Sequence, residues 1–268
     1  MKKSHWIDTH CHIGLCDFIS EDELITHAHQ NGVDTLIDIG IDGQSCRDVI
    51  SRTERFDEVF AAIGIHPHDV KNATDSDLDF ITDNYANPKV VAIGEIGLDY
   101  YRDYSPRDLQ RHYFDIQLRF AAENNFPAVI HSRKAWGDTL QIMQSVNLEF
   151  PLRGVFHCFG YGPDEAKICV EMGFHVSFPG ALTYEHAKKL KNTAKSLPMK
   201  WALIETDSPF ITPAKFKTQT KGNIPGYVVE TAKTLASIRS MEINTLQDLL
   251  FENTLNCFPK LASGLEKA

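Results

Sequence analysis

His5-Trp6-Ile7-Asp8-Thr9-His10-Cys11-His12 reads as a strand, and the fold is worked out from it. Side chains on a strand alternate with period two, so Asp8, His10 and His12 share one face while Thr9 and Cys11 share the other. Two imidazoles then stand one above the other near the strand's end, spaced to bind one cation. Cys11 faces the opposite way and reads as a buried thiol. Outward from this segment, short β-branched runs recur at 34–40, 59–67, 90–97, 127–133, 154–159, 174–179 and 201–209, which makes eight with the first. Helical spacing fills the intervals, around 21–31, 43–55, 75–84, 106–125, 135–147, 163–172, 184–195 and 226–240, with a last pattern at 245–257. Ser105-Pro106 reads as an N-cap followed by proline at the first helical position, and Gly162-Pro163-Asp164-Glu165 as a similar start.

Strands that alternate with helices pair in parallel through right-handed crossovers, and eight such units close into a barrel. The expected fold class is therefore α/β, a (β/α)8 TIM barrel with an extra C-terminal helix; a doubly wound open sheet is the competing architecture. A length of 268 residues suits one barrel of about 250 residues, and no Ser/Gly-rich linker divides the chain. One domain over 1–268 is the expectation. The composition, 43% hydrophobic and 24% charged, is that of an ordinary globular protein.

No apolar stretch precedes Asp8, which argues against a secretory signal, and no run of 18 or more apolar residues suggests a membrane span. Six cysteines without CxxC spacing read as reduced thiols, so a cytoplasmic protein is expected. The net charge of −9 disfavours long-lived duplex binding, which usually needs a basic face. Any action on nucleic acid is therefore expected to be local, at an end or a short single strand, with bound metal supplying the positive charge. No membrane contact and no obligate protein partner are indicated.

In a barrel enzyme the chemistry is carried at the C-terminal ends of the strands. Of twelve histidines, six fall at such ends: His10 and His12, His66 and His68, His131, and His157. Strand four adds Glu95, and strand eight Glu205 and Asp207. Imidazole nitrogens with carboxylate oxygens suit a pair of divalent ions, and the donor types do not separate magnesium, manganese, zinc, iron or nickel. Glu95 is placed to bridge such a pair, with His10, His12 and Asp207 at the first ion and His131 and His157 at the second. Asp207 either completes the first site or takes a proton from water. Glu205 shares the parity of Asp207 one layer down, which suits a supporting role. His66 and His68 either contact substrate or cap the loop after strand three. Arg133 and Arg102 can hold a phosphate in bidentate fashion; Arg102 can equally pair with Asp99 or Asp103. Tyr100, Tyr101, Phe159 and Tyr161 either stack on bases or pack within loops.

The chain resembles the TatD family of metal-dependent deoxyribonucleases, within the amidohydrolase-like barrels. The resemblance rests on Asp8-Thr9-His10-Cys11-His12, Gly64-Ile65-His66-Pro67-His68, Gly94-Glu95-Ile96-Gly97-Leu98-Asp99-Tyr100, Ile130-His131-Ser132-Arg133, His157-Cys158-Phe159-Gly160 and Glu205-Thr206-Asp207-Ser208-Pro209. It implies His10, His12, Glu95, His131, His157 and Asp207 as metal ligands, with Glu95 shared. It also implies divalent-metal-dependent hydrolysis of DNA, often from the 3′ end, by two-metal activation of water, with Asp207 and Glu95 catalytic. Glutamate on strand four, where other amidohydrolase-like barrels carry a modified lysine, argues against the urease and phosphotriesterase types. The family's usual Asn-Glu-Pro string is here Asn223-Ile224-Pro225, which leaves substrate preference open. The alternatives are a metal-dependent hydrolase of a small amide, ester or lactone, and a non-catalytic quality-control binding protein.

Overall fold

A computed structural model describes residues 5–265. Its strands are β1 (Trp6–Cys11), β2 (Val33–Ile39), β3 (Val59–Ile63), β4 (Val90–Asp99), β5 (Ala128–Arg133), β6 (Gly154–Phe156), β7 (Phe174–Phe178) and β8 (Ala202–Ile204). They form one eight-stranded sheet in the order β1-β2-β3-β4-β5-β6-β7-β8. The helices that alternate with them are α1 (Glu21–Gln30), α2 (Gly43–Arg55), α3 (Asp75–Asn84), α4 (Arg107–Glu123), α5 (Trp136–Asn147), α6 (Pro163–Glu171), α7 (Lys188–Ser196) and α8 (Val228–Arg239). This is the strand and helix circuit of a (β/α)8 TIM barrel, as expected. The extra C-terminal helix is present as α9 (Ile243–Cys257), and a short further helix, α10 (Pro259–Leu265), follows it. Pro259 explains the break: its ring and missing N–H cannot continue α9, yet suit the first position of a new helix. Among the described residues no helix is long and apolar enough to cross a membrane.

The chain divides into two compact units. One comprises the described residues of Met1–Asp38 with His157–Glu171 and His175–Asn256; the other comprises Ile39–Phe156, Met172–Phe174 and the described residues of Cys257–Ala268. In the first unit β1 is buried along its whole length, and β8 lies beside it. The Thr9 hydroxyl donates to the Ile204 carbonyl at 2.9 Å, Asp207 N to His10 O at 2.9 Å and His12 N to Ser208 O at 2.8 Å. In the second unit β4 pairs with β5 through Gly97 and His131, Leu98 and Ser132, and Asp99 and Arg133.

Helix starts follow local chemistry. Ser20 and Glu23 form a capping box at α1, and Asp42 with Ser45 does the same at α2. At α4 the structure corrects the expected cap. Pro106, not Ser105, occupies the N-cap position, because the Ser105 hydroxyl is taken by the His68 carbonyl at 2.8 Å. Several strands also stop earlier than expected, β6 at Phe156 and β8 at Ile204. Cys158 and Asp207 adopt φ of +43° and +54°, a conformation that ends a strand. β4 instead runs two residues past 97, since its ladder with β5 continues to Asp99.

Gly137 in the first turn of α5 has open space where a Cβ would stand. Gly137→Ala is expected to stabilise the protein by about 0.5 kcal/mol, because alanine loses less backbone entropy in a helix. Urea denaturation checks it; a destabilised variant would mean that the helix needs the glycine for another reason.

Candidate metal centre

In the first unit, β1 brings His10 and His12 against the segment that follows β8. His10 Nε2 lies 3.7 Å and His12 Nε2 3.5 Å from the same oxygen, Asp207 Oδ1. The His157 ring stacks on His10 with centroids 4.0 Å apart, and its Nδ1 is 3.6 Å from Glu205 Oε1. That oxygen also accepts the Cys158 backbone N–H. Asp8, on the same face of β1, accepts from Thr206 N at 2.9 Å and from the Thr206 hydroxyl. The clamp fixes residue 206 between Glu205 and Asp207. Burial pushes the Asp8 carboxyl well above its ordinary range, only partly offset by those bonds. For Asp207 burial also acts upward, but the hydrogen bond from His12 and the charges of His157 and His10 prevail and hold it below that range.

The second unit assembles its own group. His131 Nδ1 lies 2.6 Å from Glu95 Oε1, and His66 Nε2 lies 3.4 Å from the same oxygen. Burial lowers the His66 imidazole to about 4, with Glu95 opposing; near pH 7 the ring is neutral and retains a lone pair for an electrophile. Behind this group sits Asp99, fully buried. Its Oδ2 receives His68 Nε2 at 2.8 Å and lies 3.4 Å from His131 Nε2. Its Oδ1 accepts the backbone N–H of Tyr101 at 2.8 Å and of Arg102 at 2.9 Å. Burial alone would raise the Asp99 carboxyl; the bonds from His131, His68 and Arg102 bring it well below the usual carboxylate range.

Both groups have the donor set of a divalent cation. The ligand atoms of His10, His157 and Glu205 lie within 4.8 Å of one another, and so do those of His66, Glu95 and His131. Donors bound to one ion at about 2.0–2.2 Å stand roughly 3–4 Å apart, the distance of His10 Nε2 and of His12 Nε2 from Asp207 Oδ1. Glu205 Oε2 is a buried carboxylate oxygen without a hydrogen-bond partner among the described residues, an arrangement costly unless a cation or donor faces it. The residues present therefore fit a metal.

The sequence-predicted residues are distributed as follows. His10, His12, His157 and Asp207 come together in the first unit; Glu95 and His131 come together in the second, and His66 joins them. His157 thus lies with His10 and Glu205, and its expected partner His131 lies with His66. Arg133 is exposed, and its guanidinium stands 4.1 Å from the centroid of the Tyr101 ring. Arg102 reaches Asp99 through its backbone N–H, while its guanidinium lies 5.7 Å from the same ring. Asp103, the other acid considered for Arg102, pairs with Arg107 at 3.1 Å. Tyr100 donates to Asp138 at 2.6 Å and Phe159 is buried, so both pack within loops. Asp99 was missed, although period-two counting from Glu95 through Gly97 puts it on the same face of β4. Asn223 was read only as part of a departure. Its side chain is buried and donates at 2.8 Å to both Thr206 O and Phe210 O, tying the loop to the end of β8, while Ile224 is buried beside it.

Comparison with known proteins then supplies the family. The family model described as TatD related DNase matches residues 7–259. The chain belongs to the TatD family. Among its TatD-family relatives, the metal-dependent hydrolase YabD of Bacillus subtilis is 36% identical over 252 residues, covering 94% of this chain and 98% of that protein. The metal-dependent hydrolase YcfH of Escherichia coli K12 is 30% identical over 268 residues, covering 97% and 98%. The crystal structure of YjjV, a TatD homologue from E. coli K12, superposes with a TM-score of 0.88 at 28% identity, covering 96% of this chain and 99% of that one. This TatD protein is a metal-dependent hydrolase on a (β/α)8 barrel.

Proposed function

We propose that the protein hydrolyses phosphodiester bonds of DNA, releasing nucleotides from the 3′ ends of single strands, with one divalent ion held by each histidine–carboxylate group. The observation that carries this reading is the pairing of a metal-type donor group with exposed cations on the same strand and the adjoining loop. Arg133 lies two residues beyond His131 on β5, and Arg133, Arg102 and Lys134 are all exposed. The description of the family, TatD related DNase, points the same way.

Divalent ions in these groups would supply Lewis acidity and a water of lowered pKa. The chain's own residues do the rest. Asp207, kept as a carboxylate by its histidine neighbours, accepts a proton from the attacking water. Glu95 holds His131 and His66 at fixed distances through one oxygen. Arg133 takes a non-bridging phosphate oxygen. With a net charge of −9, the surface does not retain long duplexes, which confines action to ends and short single strands. Cys16, Cys46, Cys169 and Cys257 are free thiols, which supports a cytoplasmic setting.

The test is product analysis on a 3′-labelled single-stranded oligonucleotide with magnesium, manganese, zinc, iron or nickel. Labelled mononucleotide appearing before any internal fragment is the expected result. An intact oligonucleotide under every metal, with turnover of an ester or lactone panel, would replace this reading with that of a small-molecule hydrolase.

A further inference from the structure

We infer that Tyr101 and Tyr104 form a stacking platform for the unpaired bases of the substrate strand, adjoining the second unit's metal-type group. The inference rests on the nuclease reading above and assigns that site its preference for single strands. Most aromatic rings in this unit are accounted for by packing, but these two are 56% and 52% exposed. Both rings lie on the segment between β4 and α4, three residues apart in the chain.

Each ring has positioned neighbours. The Arg133 guanidinium lies 4.1 Å and the Arg102 guanidinium 5.7 Å from the Tyr101 centroid, cation–π distances at a ring that stays more than half exposed. Tyr104 meets the His68 ring edge-on with centroids 4.8 Å apart, and His68 in turn lies 4.3 Å from His66. The platform is thus one imidazole removed from the Glu95, His66 and His131 group. The loop that carries it is fixed where it starts, because buried Asp99 accepts the N–H groups of Tyr101 and Arg102 and also holds His68. One carboxylate sets the platform and the histidines in a common frame.

Charge selects the occupant. Arg107 and Arg111 are matched by Asp103 and Asp138, whereas the cations of Arg102, Arg133 and Lys134 are exposed, two of them beside the Tyr101 ring. Local positive charge beside two open rings, on a chain of net charge −9, fits a polyanion whose flat groups alternate with phosphates. Single-stranded nucleic acid has that chemistry, and every base has a π-face, so the platform is tolerant of sequence. A duplex keeps its bases stacked on one another and cannot use it.

The experiment compares an oligodeoxynucleotide with one of the same length whose 3′-terminal residues are abasic. The parent is expected to favour the base-bearing strand by roughly tenfold in KM. Tyr101→Ala with Tyr104→Ala is expected to abolish that preference, and the pair of phenylalanine replacements to retain it. Equal melting temperatures of parent and variants certify the fold. If the parent cleaves both strands equally, or the alanine variant keeps the preference, the platform is overturned while the nuclease reading stands. If the parent cleaves neither strand, the nuclease reading itself fails. A dimer in light scattering that the alanine variant dissolves would make the rings a protein interface and overturn the inference.

Discussion

Glu95→Gln is expected to reduce hydrolysis at least about 10³-fold while the protein melts within a few degrees of the parent. Glu95 is buried, and one of its oxygens lies 2.6 Å from His131 Nδ1 and 3.4 Å from His66 Nε2. The amide has the shape of the carboxylate, so packing is preserved; what disappears is the charge that would bind a cation and that orients both rings. Transition-state stabilisation by a bound metal is worth several kcal/mol, and each 1.36 kcal/mol is a factor of ten in rate. Metal content after gel filtration gives an independent reading: the variant should retain less metal than the parent. A variant within tenfold of the parent in kcat/KM, with unchanged metal content, would remove Glu95 from the centre.

Gly97→Ala is expected to be the most damaging single-methyl change in the same segment. Gly97 has φ of +141°, and a Cβ there would lie 1.9 Å from the carbonyl oxygen of His131. The backbone conformation itself disfavours any side chain, and the obstacle is β5 main chain, which cannot turn aside as a flexible side chain would. A cost of about 3–5 kcal/mol follows from strain plus displaced packing. For a chain of this size that corresponds to a melting temperature lower by about 10 °C. Any parting of β4 from β5 also moves His131 relative to Glu95, so activity should fall further than stability. A variant as stable as the parent in urea would show that the two strands can separate there without penalty.

These two residues also mark what was legible in the sequence. The strand periodicity of residues 6–11 put Asp8, His10 and His12 on one face, and the Asp8–Thr206 and His10–Asp207 contacts follow that parity. The alternation of strands and helices carried the barrel. The strand ends were less readable. Cys158 and Asp207 take left-handed backbone conformations that no hydrophobic pattern announces, so β6 and β8 were drawn too long. The grouping of His66 with Glu95 and His131 depends on the path of a loop beyond Ile63, which periodicity does not describe. Ser105 has the composition of an N-cap, but a tertiary acceptor, the His68 carbonyl, took its hydroxyl. Local propensity states what a residue can do alone, and the long-range partner decides.

The Asp99 carboxylate has a consequence for anyone who would retarget this protein. Its two oxygens serve four donors, two from the chain just after it and two from imidazoles. A loop transplanted from another barrel must therefore begin beyond Asp99 and offer main-chain N–H groups two and three positions later. Recipients that keep this register inherit aligned histidines with their new loop. Those that shift it by one residue lose the alignment before any new specificity is read.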